Sequence, residues 1–130
     1  MHASARRALP AFVAAAAFSL SFQAGTATAT PTASPSVKRT FVGLTPGAQC
    51  RFGYLCAYVR GDGGLYRFDF TRCNTRYRVS RWFGRGYMVN AQYGGVTARF
   101  YTRSGRLYAS RRTRGRSSIN WDAVYSLRVC

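Results

Sequence analysis

The hydrophobic and polar residues of this chain alternate in short runs that are typical of β-strands. In the run LYRFDF at 65–70, three aromatic residues fall on one face, and Arg67 and Asp69 fall on the other. Six further runs are rich in aromatic and β-branched residues, at 55–59, 77–79, 87–90, 96–101, 107–109 and 124–129. Glycine-bearing turns separate the runs. Strands at this spacing predict an all-β antiparallel sandwich or barrel.

The chain also contains a loose internal repeat. Residues 57–66 can be laid over residues 99–108, and each copy has a strand, a glycine-bearing hairpin and a second strand. Each copy then reaches a tryptophan before another short apolar strand, Trp82 in the first and Trp121 in the second. Two copies of about 40 residues predict two Greek-key motifs packed face to face. Chance similarity among aromatic hairpins is the alternative explanation.

The N-terminal stretch has the pattern of a secretory signal peptide. Arg6 and Arg7 precede an apolar run at 11–22, and the segment ATA at 27–29 has the small-residue form that signal peptidase accepts. We expect cleavage after residue 29, a flexible leader over 30–40, and a single folded domain over 41–130 of a secreted, extracellular protein. An N-terminal membrane anchor is the alternative, but the apolar run is too short to span a bilayer.

The four cysteines predict two disulfides, since an even number in a small exported domain implies bridges. Three pairings are possible. We favour Cys50 with Cys56 and Cys73 with Cys130, because the first pair is close in sequence. A cysteine metal site is the alternative, but the chain has no CxxC pair.

The composition argues against most enzyme chemistry. The chain has 20 Lys and Arg, three acidic residues and one histidine, with a net charge of +17. The histidine is His2, inside the predicted signal peptide, and the acids are Asp62, Asp69 and Asp122. A Ser-His-Asp triad, a histidine acid–base pair and a histidine-rich zinc site all need residues that are missing. We expect no catalytic residue, no metal site and no cofactor.

One motif resembles a known family. The segment CRFGYLCAY at 50–58 has the form CxxGxLCxY, and a glycine-rich hairpin and an aromatic strand follow it. It resembles small secreted actinobacterial proteins of the β/γ-crystallin type, including the Streptomyces metalloproteinase inhibitor family. The resemblance covers residues 50–130 and implies a β/γ-crystallin-like Greek-key sandwich, disulfides and inhibition of secreted proteinases. No inhibitory residue carries over, because the reactive loop of that family is not recognisable here, and its calcium-binding motif is missing.

The basic charge is a second indication of function. A guanidinium offers a planar fork of donors to phosphate or carboxylate, and a strongly positive small domain attracts polyanions. The densest tract supplies the candidate polyanion-binding patch, Arg111, Arg112, Arg114 and Arg116. The alternative is that arginine fills solvated strand faces because of codon preference. No nucleic-acid-binding motif is present, so we expect no sequence-specific nucleic-acid partner.

Aromatic side chains around the two tryptophans have two interpretations. They form either a surface on which sugars or bases stack or the core of a small β-protein, which is the commoner role. The residues concerned are Trp82, Phe83, Tyr87, Tyr93, Phe100, Tyr101 and Trp121.

Three functions fit these observations. The first, which the opening motif favours, is a monomeric inhibitor of an extracellular proteinase, with its unidentified inhibitory loop sought near Cys73 or between Trp82 and Gly86. The second is a cationic antimicrobial protein that binds an anionic cell-envelope polymer. The third is a structural or spore-coat protein.

Overall fold

The computed structural model describes residues 30–43, 49–112 and 115–130, so the predicted signal peptide at 1–29 lies outside the described residues. Within these described residues there are ten strands: β1 (Thr32–Ser34), β2 (Lys38–Gly43), β3 (Leu55–Gly61), β4 (Gly64–Phe70), β5 (Arg76–Ser80), β6 (Phe83–Asn90), β7 (Ala98–Tyr101), β8 (Leu107–Arg111), β9 (Arg116–Asn120) and β10 (Ser126–Arg128). They form sheet A, in the order β1-β5-β10-β7-β8, and sheet B, in the order β2-β4-β3-β6-β9. All strand pairs are antiparallel.

The strand order contains two Greek-key motifs. In the first motif β3 and β4 form a hairpin, β5 crosses to sheet A, and β6 returns to lie beside β3. In the second motif β7 and β8 form a hairpin, β9 crosses to sheet B, and β10 returns beside β7. The two aligned repeats, 57–66 and 99–108, are the hairpins that open the motifs. The prediction of a two-motif, all-β sandwich is confirmed.

The core lies between the sheets, where the inward side chains of alternating strands meet. At its centre the rings of Trp82 and Trp121 pack edge to face, with centroids 4.8 Å apart. The Trp121 indole Nε1 donates a hydrogen bond of 2.9 Å to the carbonyl oxygen of Tyr58 on β3. A Cβ atom at Gly86 would collide with that indole nitrogen and with the same carbonyl. The missing side chain at Gly86 therefore leaves the space in which Trp121, from the second motif, bonds to β3 of the first motif.

Most of the aromatic residues considered for a stacking surface are buried instead. Trp82, Tyr87, Phe100 and Trp121 are each at most 7% exposed, whereas Phe83 and Tyr93 are exposed. The interpretation as packing residues therefore holds for the two tryptophans and Phe100, which belong to the main core. Tyr87 belongs to a second, smaller cluster on the outer face of sheet B.

The structure differs from the prediction of a flexible leader over residues 30–40, because two paired strands lie in this part of the chain. Thr32–Ser34 forms β1 and pairs with β5, and Lys38–Gly43 forms β2 and pairs with β4. Both are edge strands and therefore need few apolar side chains. Because their sequences are largely polar, hydrophobic alternation does not identify them. β9, with the sequence RSSIN, escaped prediction for the same reason.

The two disulfides have the favoured pairing, Cys50–Cys56 and Cys73–Cys130. The first lies on the outer face of sheet B, since Cys56 belongs to the cluster around Tyr58 and Tyr87. The second joins Cys73, in the turn between β4 and β5, to Cys130, which lies two residues after the end of β10 in sheet A. The first bridge is therefore attached to sheet B and the second to sheet A.

Candidate polyanion-binding surface

The outer face of sheet A is formed by the polar half of three alternating strands. In β5, Tyr77 and Val79 are buried while Arg76 and Arg78 are exposed. In β10, Leu127 is buried and Arg128 is exposed. β7 repeats the pattern, with Ala98 and Phe100 buried and Arg99 exposed between them. Because strand side chains alternate between faces, all of these arginines project away from the core.

The strand register places three of these arginines side by side. Arg128 of β10 lies opposite Arg76 of β5 on one side and opposite Arg99 of β7 on the other. We call this set the arginine row. Adjacent strands are about 4.8 Å apart, so the row brings three like charges close together. Like charges directly opposite one another in a sheet are destabilising, which makes the arrangement unfavourable for folding alone.

Two further arginines extend the row to what we call the arginine face, namely Arg76, Arg78, Arg99, Arg103 and Arg128. Arg78 lies opposite Ser126, which in turn lies opposite Tyr101. The Arg76 guanidinium sits 4.4 Å from the centre of the Tyr101 ring, and its Nε donates a 3.2 Å hydrogen bond to the Ser126 hydroxyl. Arg103 lies over the ring of Tyr125 at 5.6 Å. A shallow depression of about 430 Å³ is lined by Arg76, Arg78 and Arg103.

None of the three acidic residues of the chain lies in the strands of this face, although Asp122 lines a depression together with Arg103. Asp69 is in β4 of sheet B and makes an ion pair with Arg67, at 2.7 Å between Oδ1 and Nε. Asp62 is in the turn between β3 and β4. Asp122 lies in a short 3₁₀ helix after β9, and its Oδ1 accepts a hydrogen bond from the backbone N–H of Gly84 at 3.0 Å. The arginine face therefore has no carboxylate among its own strands.

The basic tract predicted from the sequence is divided between the sheets. Arg111 ends β8 of sheet A, and Arg116 begins β9 of sheet B. Arg112 donates from Nε to the carbonyl of Gly95 at 3.1 Å, and Arg116 lies 3.8 Å from the centre of the Tyr87 ring. Arg114 lies outside the described residues. The structure thus gives the described members separate local partners, and their joint role in binding stays a prediction.

The arginine row was missed because its members are far apart in sequence. Only the tertiary pairing of β5, β10 and β7 brings Arg76, Arg128 and Arg99 together. The local signal was present in the segment RYRVS at 76–80, where charged and apolar residues alternate. That pattern identifies an outward face, but it contains no information about which strands lie beside it.

The two segments considered for an inhibitory loop differ in exposure and pairing. Within 82–86, Phe83 pairs with Arg60 of β3 and Arg85 pairs with Asn120 of β9, so most of the segment is part of a sheet. The turn around Cys73 is different. Residues 71–74 are all exposed, and the disulfide to Cys130 anchors the turn.

Other classes of site receive no support from the described residues. Within 30–43, 49–112 and 115–130, no group of three or more His, Cys, Asp or Glu side chains is placed to hold a metal ion. In the same residues, no helix is long and apolar enough to cross a membrane.

The sequence matches no family model, and no curated protein or solved structure shows significant similarity to it. The relation to the small actinobacterial β/γ-crystallin-like proteins therefore stays a prediction. The fold is assigned from the observed strand order alone.

Proposed function

We propose that this protein is a secreted polyanion-binding protein, and that the arginine face of sheet A holds a linear anionic polymer of the cell envelope. The observation that carries the proposal is the arginine row, in which Arg76, Arg128 and Arg99 lie on three neighbouring strands with no intervening acid. The two disulfides support the secreted location, since such bridges persist in oxidising compartments.

The geometry of the row suits a polymer that carries repeated anionic groups. The Cα atoms of its three arginines span about 10 Å across the strands, at about 4.8 Å per strand. The Arg76 side chain reaches from β5 to Ser126 and Tyr101. A guanidinium has five N–H donors and no acceptor, so its natural partner is a phosphate or carboxylate oxygen. Binding such a polymer would also relieve the repulsion between the arginines, so the unfavourable arrangement in the free protein becomes favourable in the complex.

The experiment is a titration of the oxidised protein with poly(glycerol phosphate) at several salt concentrations. The test variant is the triple change Arg76→Gln, Arg99→Gln and Arg128→Gln. We expect its affinity to fall at least tenfold. If the rule for nucleic-acid phosphates applies, the slope of log Kd against log salt concentration should decrease by about 2 to 3.

The matched control removes the same number of charges elsewhere. Arg51, Arg72 and Arg81 are exposed and lie outside the strands of both sheets, so the triple change of these residues to Gln lowers the net charge equally. The control should keep most of the affinity. Equal weakening by both triple variants would show that net charge, rather than the arginine row, determines binding, and would refute the proposal.

Proteinase inhibition is the second candidate, and the exposed turn around Cys73 favours it. An inhibitor needs an exposed loop that is held in one conformation before it binds, and the disulfide to Cys130 restrains this turn. The oxidised protein would be titrated against secreted metallo- and serine proteinases. A stoichiometric end point that persists at high salt supports inhibition, whereas the absence of any end point removes it.

A further inference from the structure

The outer face of sheet B carries a second apolar cluster, and a pair of tyrosines forms its centre. Cys56, Tyr58, Leu65 and Tyr87 are all at most 7% exposed there. Tyr58 of β3 and Tyr87 of β6 lie opposite each other in the register, so their rings stack with centroids 4.2 Å apart. This cluster lies on the opposite side of the sandwich from the arginine face.

The hydroxyl of Tyr87 is buried without a hydrogen-bond partner among the described residues. Tyr87 as a whole is only 7% exposed. Burial raises the pKa of the Tyr87 phenol, and the neighbouring Arg116 charge opposes that rise in part. The phenol is therefore protonated at neutral pH. Because its hydroxyl is enclosed by the protein, Tyr87 forms a wall of the adjoining cleft and is not a donor to it.

A cleft of about 230 Å³ adjoins this tyrosine, and its polar lining consists of donors. Arg60, Arg85 and Arg116 line the cleft together with Ser118 and Tyr87. The Arg116 guanidinium lies 3.8 Å from the centre of the Tyr87 ring. Among the described residues, the one ion pair joins Arg67 to Asp69. None of the three cleft arginines is therefore paired with a carboxylate there.

We infer that this cleft, bounded by Arg60, Arg85, Arg116, Ser118 and the side chain of Tyr87, binds a tetrahedral oxyanion, that is, a phosphate or sulfate group. Three guanidinium forks and a serine hydroxyl supply more donors than the two oxygens of a carboxylate can accept. A phosphate or sulfate group offers three or four oxygens within the same small volume. The inference does not depend on the proposed polymer-binding role of sheet A.

The first test compares thermal unfolding of the oxidised protein in inorganic phosphate, sulfate, acetate and chloride at matched ionic strength, with each anion kept at low millimolar concentration, where the general stabilisation of proteins by sulfate and phosphate is small. A ligand that binds only the folded state raises the unfolding temperature. We expect phosphate and sulfate to raise it, and acetate to act like chloride. Methyl phosphate tests whether the anion enters free or as an ester, since a closed cleft would exclude the ester. No response to phosphate or sulfate beyond that of chloride would overturn the inference.

The decisive variant is Arg85→Gln, which removes one guanidinium from the cleft. In chloride this variant should be about as stable as the parent protein, because Arg85 is exposed. Its Kd for phosphate should rise at least tenfold. A folded Arg85→Gln protein with the full phosphate response would contradict the proposed cleft. The matched control is Arg78→Gln, since Arg78 is also an exposed arginine but lies on sheet A.

A second pair of variants separates this site from the arginine face. Arg116→Lys keeps the charge but loses the planar fork, so phosphate should bind about tenfold more weakly. Arg128→Lys on sheet A should leave the phosphate response unchanged. The triple variant of the arginine row should also keep it, even if that variant no longer binds the polymer. Loss of the response in the sheet A variants alone would place the anion on the arginine face and refute the cleft.

Discussion

The outer faces of the two sheets differ although both sheets are built from the same motif. On sheet B, β3 is buried on both sides, so that Cys56 and Tyr58 are as inaccessible as their inward neighbours Leu55, Ala57 and Val59. On sheet A, most of the outward residues of β5, β7 and β10 are exposed arginines. One outward residue of β10, Ser126, is buried.

The difference arises from the chain that precedes β3. Cys50 packs against the tyrosine cluster and is bonded to Cys56 in β3. Tyr54 packs against the same cluster, and Gly53 bonds through its N–H to the carbonyl of Ala91. These contacts fold the segment before β3 against sheet B and make its outer face a second apolar layer. The arginine face of sheet A has no such covering segment among the described residues, and its arginines are exposed to solvent.

The largest expected effect comes from breaking the core that holds both faces. Gly86→Ala places a methyl group against the Trp121 indole and the Tyr58 carbonyl. Overpacking and the loss of this buried hydrogen bond together should lower the free energy of unfolding by about 4 kcal/mol, measured by urea denaturation. The exposed Ser110→Ala on β8 is the control and should change it by less than about 0.5 kcal/mol. A Gly86→Ala protein with parental stability would show that the indole can move aside.

The two disulfides offer a direct comparison of the sheets. The chain-entropy model assigns about 4 kcal/mol to the bridge Cys73–Cys130, which spans 57 positions, and about 2 kcal/mol to Cys50–Cys56, which spans six. Alanine replacement of each pair, followed by urea denaturation, should give losses in that order. A larger loss for Cys50 and Cys56 would show that packing in the tyrosine cluster outweighs chain entropy on sheet B.

The smallest effects should have opposite signs on the two faces. Arg67→Gln on sheet B leaves Asp69, whose side chain is 9% exposed, without its ion-pair partner and should cost about 2 kcal/mol. Arg128→Gln on sheet A removes the central charge of the arginine row and should increase stability by about 0.5 kcal/mol at low salt. The gain should shrink at high salt, where the repulsion is screened. A loss of stability in Arg128→Gln would contradict the picture of a repulsive row.

Local sequence patterns predicted the parts of the fold that depend on local chemistry. Alternation in 65–70 located β4, and the repeat of 57–66 at 99–108 located the two hairpins. The polar edge strands β1, β2 and β9 were missed because few of their side chains are buried. The basic tract at 111–116 was the densest cluster in sequence, yet its described members lie on two different sheets.

The sequence by itself determined the alternating strands, and it favoured the two-motif plan and the disulfide pairing that the structure has, because each depends on spacing along the chain. Only the tertiary structure decided which side chains share a face. It aligned Arg76, Arg128 and Arg99 across three strands and set Arg60, Arg85 and Arg116 around Tyr87. These residues are distant in sequence and are brought together by burial of the common core, which contains none of the six arginines. The charged surfaces are therefore a consequence of how the apolar half of each strand packs.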